Sequence, residues 1–371
     1  MRITLKRLTL ALAVSFCLSA HAADLRGAVD QAIQPVMAEY DVPGVAVAVT
    51  VNGKTSFYNY GLASKESNTP VSENTLFELG SISKTFTATL AAIAVAEGKL
   101  SLDDHPSRYM PQLKGRAVDK ATVLNFATYS AGGFPQQFPD AVTNDEASML
   151  AYFRNWKPKA KPGKIREYSN PSLGLFGHLT ALALKEDFAD AMQQRVFAPL
   201  GLTNTYIKVP DSAMPNYAWG YDKDKPVRMR PDLFSEETYG VRSTSADMIR
   251  YVQANIAPTK LPAIASTHIG YFRTGVMTQG LGWEQFAYPA SLDNLLAGNS
   301  VDMLSKANAT KRIAPQPESG LYDKTGSTRG FGAYVLFVPE KKIGIVILAN
   351  KSYPIPARVK AAHAILTQLE N

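Results

Sequence analysis

Apolar and polar residues follow two different periods at the N-terminal end of the chain. Between residues 25 and 40 the apolar positions recur every three or four residues, which predicts an N-terminal helix. Residues 45–51 and 55–60 are instead rich in β-branched and aromatic side chains, and Asn52-Gly53 lies between them. This arrangement is typical of a β-hairpin with a two-residue turn.

The other end of the chain has a matching pattern. Residues 333–338 and 343–348 predict a second pair of strands, and residues 358–369 a final amphipathic helix. The middle of the chain is different, because its apolar stretches are longer and are separated by loops rich in Pro and Gly. Helices are predicted there at residues 85–97, 149–156, 173–184 and 188–197.

These elements predict an α+β fold. We expect one antiparallel sheet built from N- and C-terminal strands, flanked by the terminal helices, with a mostly helical subdomain inserted. The α/β part would comprise about residues 23–80 and 245–371, and the helical part about residues 81–244. A functional site would lie at the seam between the two parts, where clefts commonly form.

The first residues form a separate pattern. Three basic residues precede an apolar stretch at residues 8–18 and the small-x-small triplet Ala20-His21-Ala22. This is the layout of a secretory signal peptide, so we expect residues 1–22 to be removed. The single cysteine, Cys17, would be lost with them, which leaves no disulfide and no cysteine metal site.

The formal net charge of +7 is spread along the chain. The one basic cluster, at residues 157–166, is interrupted by Pro and Gly, whereas a nucleic-acid-binding surface would be denser. We therefore interpret it as a solvated loop and expect no nucleic-acid partner. A mild positive charge would suit a small anionic substrate.

Candidate chemistry is concentrated in three motifs, each present once: Ser81-Ile82-Ser83-Lys84, Tyr168-Ser169-Asn170 and Lys324-Thr325-Gly326. The first lies where a short predicted strand gives way to a helix. Ser81 would stand at the positive end of that helix, with Lys84 on the same face and able to hold or accept its proton. Alone, this pattern is more typical of a helix cap beside a surface lysine.

The other two motifs supply groups that could converge on the same carbonyl. A phenol normally keeps its proton, with a pKa of about 10, but two nearby ammonium groups would lower the pKa of Tyr168. Lys84 and Lys324 are the candidates. On a strand, Gly326 would leave room for a ligand beside Lys324, and the backbone N–H of Ser327 could donate to an oxyanion.

Several familiar sites are missing from the sequence. It contains no Gly-x-Ser-x-Gly elbow, no His-Glu-x-x-His helix and no phosphate-binding loop. The histidines fall in helical, apolar or loop contexts that favour a structural role. We therefore expect no cofactor and no metal, and a base that is lysine or tyrosine rather than histidine.

In these surroundings the chain resembles the class C serine β-lactamases, of the penicillin-recognising superfamily. The resemblance extends beyond the motifs and covers essentially the whole chain after residue 22. It is carried by residues 77–86, 167–170 and 323–327 around the motifs, and by Tyr129-Ser130-Ala131-Gly132-Gly133, Tyr217-Ala218-Trp219-Gly220 and residues 348–354.

The resemblance implies a β-lactamase/transpeptidase-like fold. Together with the signal-peptide pattern, these bacterial motifs predict a periplasmic protein without stable membrane association, and a monomer is the default because no sequence feature marks an oligomer interface. The substrate that the resemblance implies is a β-lactam, preferably a cephalosporin, which acylates Ser81 and is then hydrolysed. The implied catalytic residues are Ser81, Lys84, Tyr168 and Lys324, with Tyr168 or Lys84 as general base and the N–H groups of Ser81 and Ser327 as oxyanion hole. The implied substrate-binding residues are Gln137, Asn170, Tyr239, Thr325, Gly326, Ser327, Asn350 and Arg358.

One position departs from the common family pattern. Many relatives carry asparagine near the substrate carboxylate, where this chain has Ile355. The carboxylate would then be held by Thr325 and Lys324, with Asn350 or Arg358 as further candidates.

Two alternatives remain at this stage. A D-alanyl-D-alanine peptidase or esterase of the same superfamily would share the serine–lysine and tyrosine motifs, although Lys324-Thr325-Gly326 argues against an esterase. A β-lactam-binding sensor would acylate and stall, but no anchor or signalling segment supports it.

Overall fold

The computed structural model describes residues 25–317 and 319–370. The predicted signal peptide lies outside these ranges. Within them the strands are β1 Gly44–Val51, β2 Lys54–Ser64, β3 Thr69–Pro70, β4 Phe77–Glu78, β5 Ile165–Arg166, β6 Gly220–Asp222, β7 Lys225–Val227, β8 Arg242–Ser243, β9 Ile269–Thr274, β10 Met277–Gln279, β11 Glu284–Phe286, β12 Asn308–Ala309, β13 Lys311–Pro317, β14 Leu321–Ser327, β15 Gly332–Val338 and β16 Ile343–Ala349.

The described helices occupy both ends of the chain and most of its middle. They are α1 25–40, α2 Ser83–Ala96, α3 Val123–Ala127, α4 Glu146–Asn155, α5 Asn170–Leu184, α6 Phe188–Met192, α7 Ala198–Leu200, α8 Ser235–Thr238, α9 Ser245–Ile256, α10 Leu292–Gly298, α11 Val301–Ser305 and α12 Ile355–Glu370. The helix predicted at residues 188–197 is α6 followed by a π-helical turn, Gln193–Phe197, that runs on into α7.

The largest sheet contains ten strands in the order β13-β9-β10-β11-β14-β15-β16-β1-β2-β3. Its neighbouring strands pair antiparallel. β1 pairs with β16 from Val45↔Ala349 to Val51↔Ile343, which joins the two ends of the chain in one sheet. β1 and β2 form the predicted hairpin, with Val51 opposite Lys54. The predicted α+β fold, with its mainly antiparallel sheet, is therefore confirmed.

The two faces of this sheet are covered by different parts of the chain. Val45, Val47 and Val49 pack in one core with residues of α1, α10 and α12, whereas Ala46 and Ala48 belong to a second core with α2, α5 and α9. This division follows from the alternation of side chains along a strand. The larger side chains of β1 thus face the terminal helices, and the smaller ones let the helical part approach closely.

Besides the two-residue β3, four strands of the large sheet were not predicted: β9, β10, β11 and β13. These four are three to seven residues long and mix Thr, Gln, Arg and Lys with apolar residues. Their periodicity is therefore too weak to read from sequence. They extend the sheet beyond β14, with β11 paired to it.

Candidate active site

The first motif lies where a short helical turn touches β14 of the large sheet. Ser81 belongs to the 3-10 turn Gly80–Ile82, which leads directly into α2. A Cβ added to Gly80 would lie 2.4 Å from the Ser327 nitrogen, and one added to Gly326 would lie 1.9 Å from the Leu79 oxygen. Only glycine fits on both sides, so the backbone of the Ser81 turn contacts β14 directly.

The Lys84 side chain forms a hydrogen bond with Ser81. Its side chain is fully buried, and its Nζ donates to Ser81 Oγ at 2.9 Å and to the carbonyl oxygen of Thr238 at 2.9 Å. Burial lowers the pKa of Lys84; Tyr168 opposes this shift and the charge of Lys324 adds to it. An amine with a lowered pKa in contact with the hydroxyl can take part in proton transfer from Ser81.

Tyr168 lies between the two lysines. The Nζ atoms of Lys84 and Lys324 are 5.2 Å and 5.1 Å from the centre of its ring. Burial alone would raise the pKa of Tyr168, but the charges of Lys324 and Lys84 and the nearby Ser81 hydroxyl outweigh it and lower the pKa below its usual value of 10.0. A phenol in this environment ionises more readily, as a general base requires.

Lys324 has a negatively charged partner that the sequence did not indicate. Its Nζ donates to both carboxylate oxygens of Glu284 at 3.2 Å, and both side chains are buried. Burial is the largest influence and lowers the pKa of Lys324, but Glu284, Tyr168 and Asp323 together outweigh it, so the net pKa is raised. Lys324 therefore remains a cation beside Tyr168.

Arg166 completes this buried cluster. Its Nη2 donates to Glu284 at 3.3 Å, its Nε to Gln279 at 2.8 Å and its Nη1 to the Met303 carbonyl oxygen at 2.9 Å. The prediction of a solvated loop was wrong for Arg166, which is 1 % exposed. The only sequence feature that could have indicated Arg166 as a site residue was its position two residues before Tyr168. No feature could have indicated Glu284, because it lies outside the motifs.

A cleft of about 380 Å³ opens in front of these groups. Besides Ser81 and Tyr168, six of the predicted site residues line it: Gln137, Asn170, Tyr239, Thr325, Gly326 and Ser327. Six further residues line it that the sequence had not singled out as binding residues: Gln136, Met229, Leu304, Thr328, Arg329 and Ile355.

Two predicted substrate-binding residues lie outside the cleft lining. The Asn350 side chain is buried and donates to the carbonyl oxygens of Leu62 at 2.9 Å and Trp219 at 3.1 Å. The buried Arg358 donates through Nη1 to the Gly326 carbonyl oxygen at 2.7 Å and to Ser327 Oγ at 2.8 Å. Both side chains support the backbone behind the cleft, because the Asn350 amide nitrogen and the Arg358 Nη1 donate to neighbouring oxygens. The Nε of Arg358 is buried without a partner among the described residues.

Three polar atoms of cleft-lining residues are buried without a hydrogen-bond partner among the described residues. They are the phenol oxygen of Tyr168, the amide oxygen of Asn170 and the hydroxyl oxygen of Thr328. The Asn170 nitrogen, in contrast, donates to Gln137 Oε1 at 2.9 Å, which fixes the orientation of the amide. Buried polar atoms without partners are costly, so these three are suited to a ligand that supplies the missing bonds.

Among the residues that the structure describes, no group of three or more His, Cys, Asp or Glu side chains is arranged to hold a metal ion. No helix in the ranges 25–317 and 319–370 is both long and apolar enough to cross a bilayer.

Comparison with known proteins gives a consistent result. The Beta-lactamase family model matches residues 29–370. The chain is 49% identical to a beta-lactamase of Pseudomonas fluorescens over 94% of this chain and 100% of that protein. It is 43% identical to the beta-lactamase of Escherichia coli (strain K12), over 92% of this chain and 93% of that protein.

Solved structures agree with this result. A class C beta-lactamase in complex with cefoxitin has 46% sequence identity and a TM-score of 0.90, and the match covers 93% of this chain and 99% of that one. The Beta-Lactamase/D-Alanine Carboxypeptidase from Pseudomonas syringae has 47% identity and a TM-score of 0.90, over 92% of this chain and 98% of that one. The chain therefore belongs to the beta-lactamase family, and its fold is that of the class C enzymes.

Proposed function

We propose that this protein hydrolyses β-lactams, with cephalosporins preferred, through a covalent acyl-enzyme on Ser81. The observation that carries the proposal is the hydrogen bond of 2.9 Å from the buried Lys84 to Ser81 Oγ, at the bottom of a cleft. A serine next to an amine with a lowered pKa is the arrangement expected of an activated nucleophile.

In the acylation step, Ser81 Oγ attacks the carbonyl carbon of the lactam ring. Its proton passes to Lys84 or Tyr168, and the ring nitrogen takes up a proton as the C–N bond breaks. The developing oxyanion accepts hydrogen bonds from the backbone N–H groups of Ser81 and Ser327, whose segments lie in contact. Lys324 stabilises the ionised form of Tyr168 by its charge.

Deacylation requires a water molecule to attack the ester on Ser81. Tyr168 accepts the proton of that water, and Ser81 leaves with a proton from the same group of side chains. The lowered pKa of Tyr168 supports this role, since a phenol with its usual pKa would seldom be ionised at neutral pH. The acid product carries one added water and the enzyme returns to its starting state.

Substrate recognition is assigned to the polar atoms that lack partners. The Asn170 amide oxygen would accept from the side-chain N–H of the β-lactam, with Gln137 beside it. Tyr239, which also lines the cleft, would form an aromatic wall. Thr325 and Gly326 of β14 would line the side of the cleft that holds the lactam ring.

The test is hydrolysis of a chromogenic cephalosporin at about a hundredfold molar excess over the purified protein without residues 1–22, since turnover numbers of enzymes are well above one per second. We expect sustained turnover, and we expect Ser81→Gly to abolish it. Undiminished hydrolysis by the Ser81→Gly variant would refute the assignment of the nucleophile.

A second candidate activity is D-alanine carboxypeptidase. The names of two similar solved structures contain this activity, one from Pseudomonas syringae and one from Burkholderia cenocepacia. The same groups could cleave a terminal D-alanyl-D-alanine peptide, whose carbonyl would occupy the same oxyanion hole. A single burst with the cephalosporin and steady release of D-alanine from such a peptide would favour this activity.

The proposal includes where the enzyme works. Residues 1–22 act as a signal peptide, residues 23–371 form a single catalytic domain, and the mature protein is a monomer of the periplasm. Support comes from the sequence pattern of the first residues and from the continuous sheet that joins both ends of the described chain. N-terminal sequencing of the exported protein would show whether cleavage occurs after Ala22.

A further inference from the structure

We infer that Arg329 binds the carboxylate of the β-lactam substrate. Arg329 is the only charged residue among the described residues that line the cleft. The substrates proposed above carry a carboxylate on the second ring, so an anion must be accommodated there. The inference rests on the proposed function and names the group that recognises this part of the substrate.

The other candidates for this contact are unsuited to it. Ile355 lines the cleft but has no polar atom in its side chain. Asn350 and Arg358 are outside the lining: the Asn350 amide nitrogen and the Arg358 Nη1 donate to oxygens of the fold, and the Arg358 Nε is buried. Lys324 is already paired with Glu284. Of the residues first considered for the carboxylate, Thr325 alone remains, with a single hydroxyl.

The backbone of Arg329 is held firmly at the edge of the cleft. It lies in the turn between β14 and β15, which is closed by a hydrogen bond of 3.1 Å from the Thr328 nitrogen to the Phe331 oxygen. A Cβ added to the next residue, Gly330, would lie 2.9 Å from the Cα of Gly220 in β6. The turn is therefore packed against the β6–β7 hairpin, and Arg329 starts from a fixed position.

The guanidinium of Arg329 has one occupied edge and one open edge. Its Nε donates to Asp222 Oδ2 of β6 at 2.7 Å, whereas its Nη atoms donate to none of the residues that the structure describes. The side chain is 76% exposed. A guanidinium held from one side can present its remaining N–H groups to a carboxylate as a two-pronged donor.

Asp222 does not cancel this role. An ion pair this exposed is weak, because water and salt screen it. Asp222 therefore orients the guanidinium and leaves its Nη donors available to a ligand. A substrate carboxylate in the cleft would bind beside Thr325, on the side where relatives carry asparagine and this chain has Ile355.

The test compares a cephalosporin that has a free carboxylate with its neutral methyl ester. For Arg329→Ala we expect KM for the acid to rise about tenfold and kcat to change less than about twofold, as for loss of a charge-assisted hydrogen bond used equally in ground and transition states. The ester should show the same KM with both enzymes. Arg329→Lys should give an intermediate KM for the acid, because lysine keeps the positive charge but lacks the two parallel N–H donors of the guanidinium.

Two controls make the result specific. Arg108→Ala removes another exposed, ion-paired arginine, which lies outside the cleft lining and pairs with Asp104 at 3.2 Å. It should leave KM unchanged for both substrates. Ile355→Asn in the Arg329→Ala background should lower KM for the acid, because it supplies a new donor near the same position.

Equal KM values for the acid with the native enzyme and Arg329→Ala would overturn the inference, and so would an equal rise in KM for acid and ester. Failure of the proposed function would look different. In that case the native enzyme would not turn over either substrate, or hydrolysis would persist in Ser81→Gly.

Discussion

At the scale of single residues, the two buried lysines of the site have different electrostatic environments. Lys84 contacts Ser81 and a backbone carbonyl, and its pKa is lowered, whereas Lys324 is paired with Glu284 and its pKa is raised. Lys84 is therefore suited to exchange a proton and Lys324 to remain charged. The difference depends on one carboxylate that lies outside the three motifs.

The prediction at this scale concerns Glu284→Gln. Burial is the largest influence on Lys324 and lowers its pKa, and the charge of Glu284 is the largest influence that opposes it. Without that carboxylate the pKa of Lys324 should fall, so Lys324 should lose its proton at lower pH. We expect the alkaline limb of the kcat/KM profile to move to lower pH, measured between about pH 6 and 11, a range that spans ordinary lysine titration. An unchanged or upward-shifted limb would contradict the charge-holding role of Glu284.

The candidate catalytic residues could be predicted from sequence because they occur in short, fixed motifs. Glu284 and Arg166 could not, since their roles depend on strands β5 and β11 being brought together by the fold. Arg166 even stands in a basic stretch whose other members look solvated. Asn350 and Arg358 show the opposite case, because they stand close to the site in sequence and their donors bind oxygens behind the cleft.

At the scale of elements, the contact between the Ser81 turn and β14 determines the relative position of the two segments that form the site. It requires Gly80 and Gly326 to approach the opposing backbone without a Cβ. The sequence predicted the helix and the strand but not their contact. The elements with strong periodicity were predicted well, among them α1, α2 and the β1–β2 hairpin, whereas the short polar strands β9–β11 were missed.

The prediction at the element scale is that Gly326→Ala will separate these two segments. The new Cβ would lie 1.9 Å from the Leu79 oxygen, which real contacts do not allow, so β14 must shift away from Ser81. We expect kcat to fall at least about a hundredfold, as for loss of an oxyanion donor. We also expect the melting temperature to fall.

A matched control is available at Gly27 in α1. A Cβ added there meets nothing within 4 Å, and alanine favours a helix over glycine. Gly27→Ala should retain activity and keep or raise the melting temperature. Full activity of Gly326→Ala would show that the close contact is not needed for catalysis.

At the scale of the whole molecule, the helical part and the sheet share one core. Residues of α2, α5 and α9 pack in the same cluster as Ala46 and Ala48 of β1. The sequence indicated an insertion in the sheet, but it could not show how much core the two parts have in common.

This shared core predicts a single unfolding transition. Because neither part buries its apolar surface alone, the calorimetric and van't Hoff enthalpies should agree, and near- and far-ultraviolet circular dichroism should report the same midpoint. The measurement is a thermal scan of the protein without residues 1–22. Two resolved transitions, with loss of helix signal at the lower temperature, would show that the parts fold independently.

The direct backbone contact between the Ser81 turn and β14 has a consequence for how this enzyme can diversify. The proposed nucleophile and oxyanion donors lie on two segments that touch each other, so their alignment does not depend on the lengths of distant loops. Met229, Leu304 and Arg329, which border the cleft, belong to other loops and short helices. Mutation at the border can therefore alter which antibiotics fit in the cleft, while the Ser81 turn and β14 keep their alignment. A change in the range of antibiotics hydrolysed need not begin with a loss of activity.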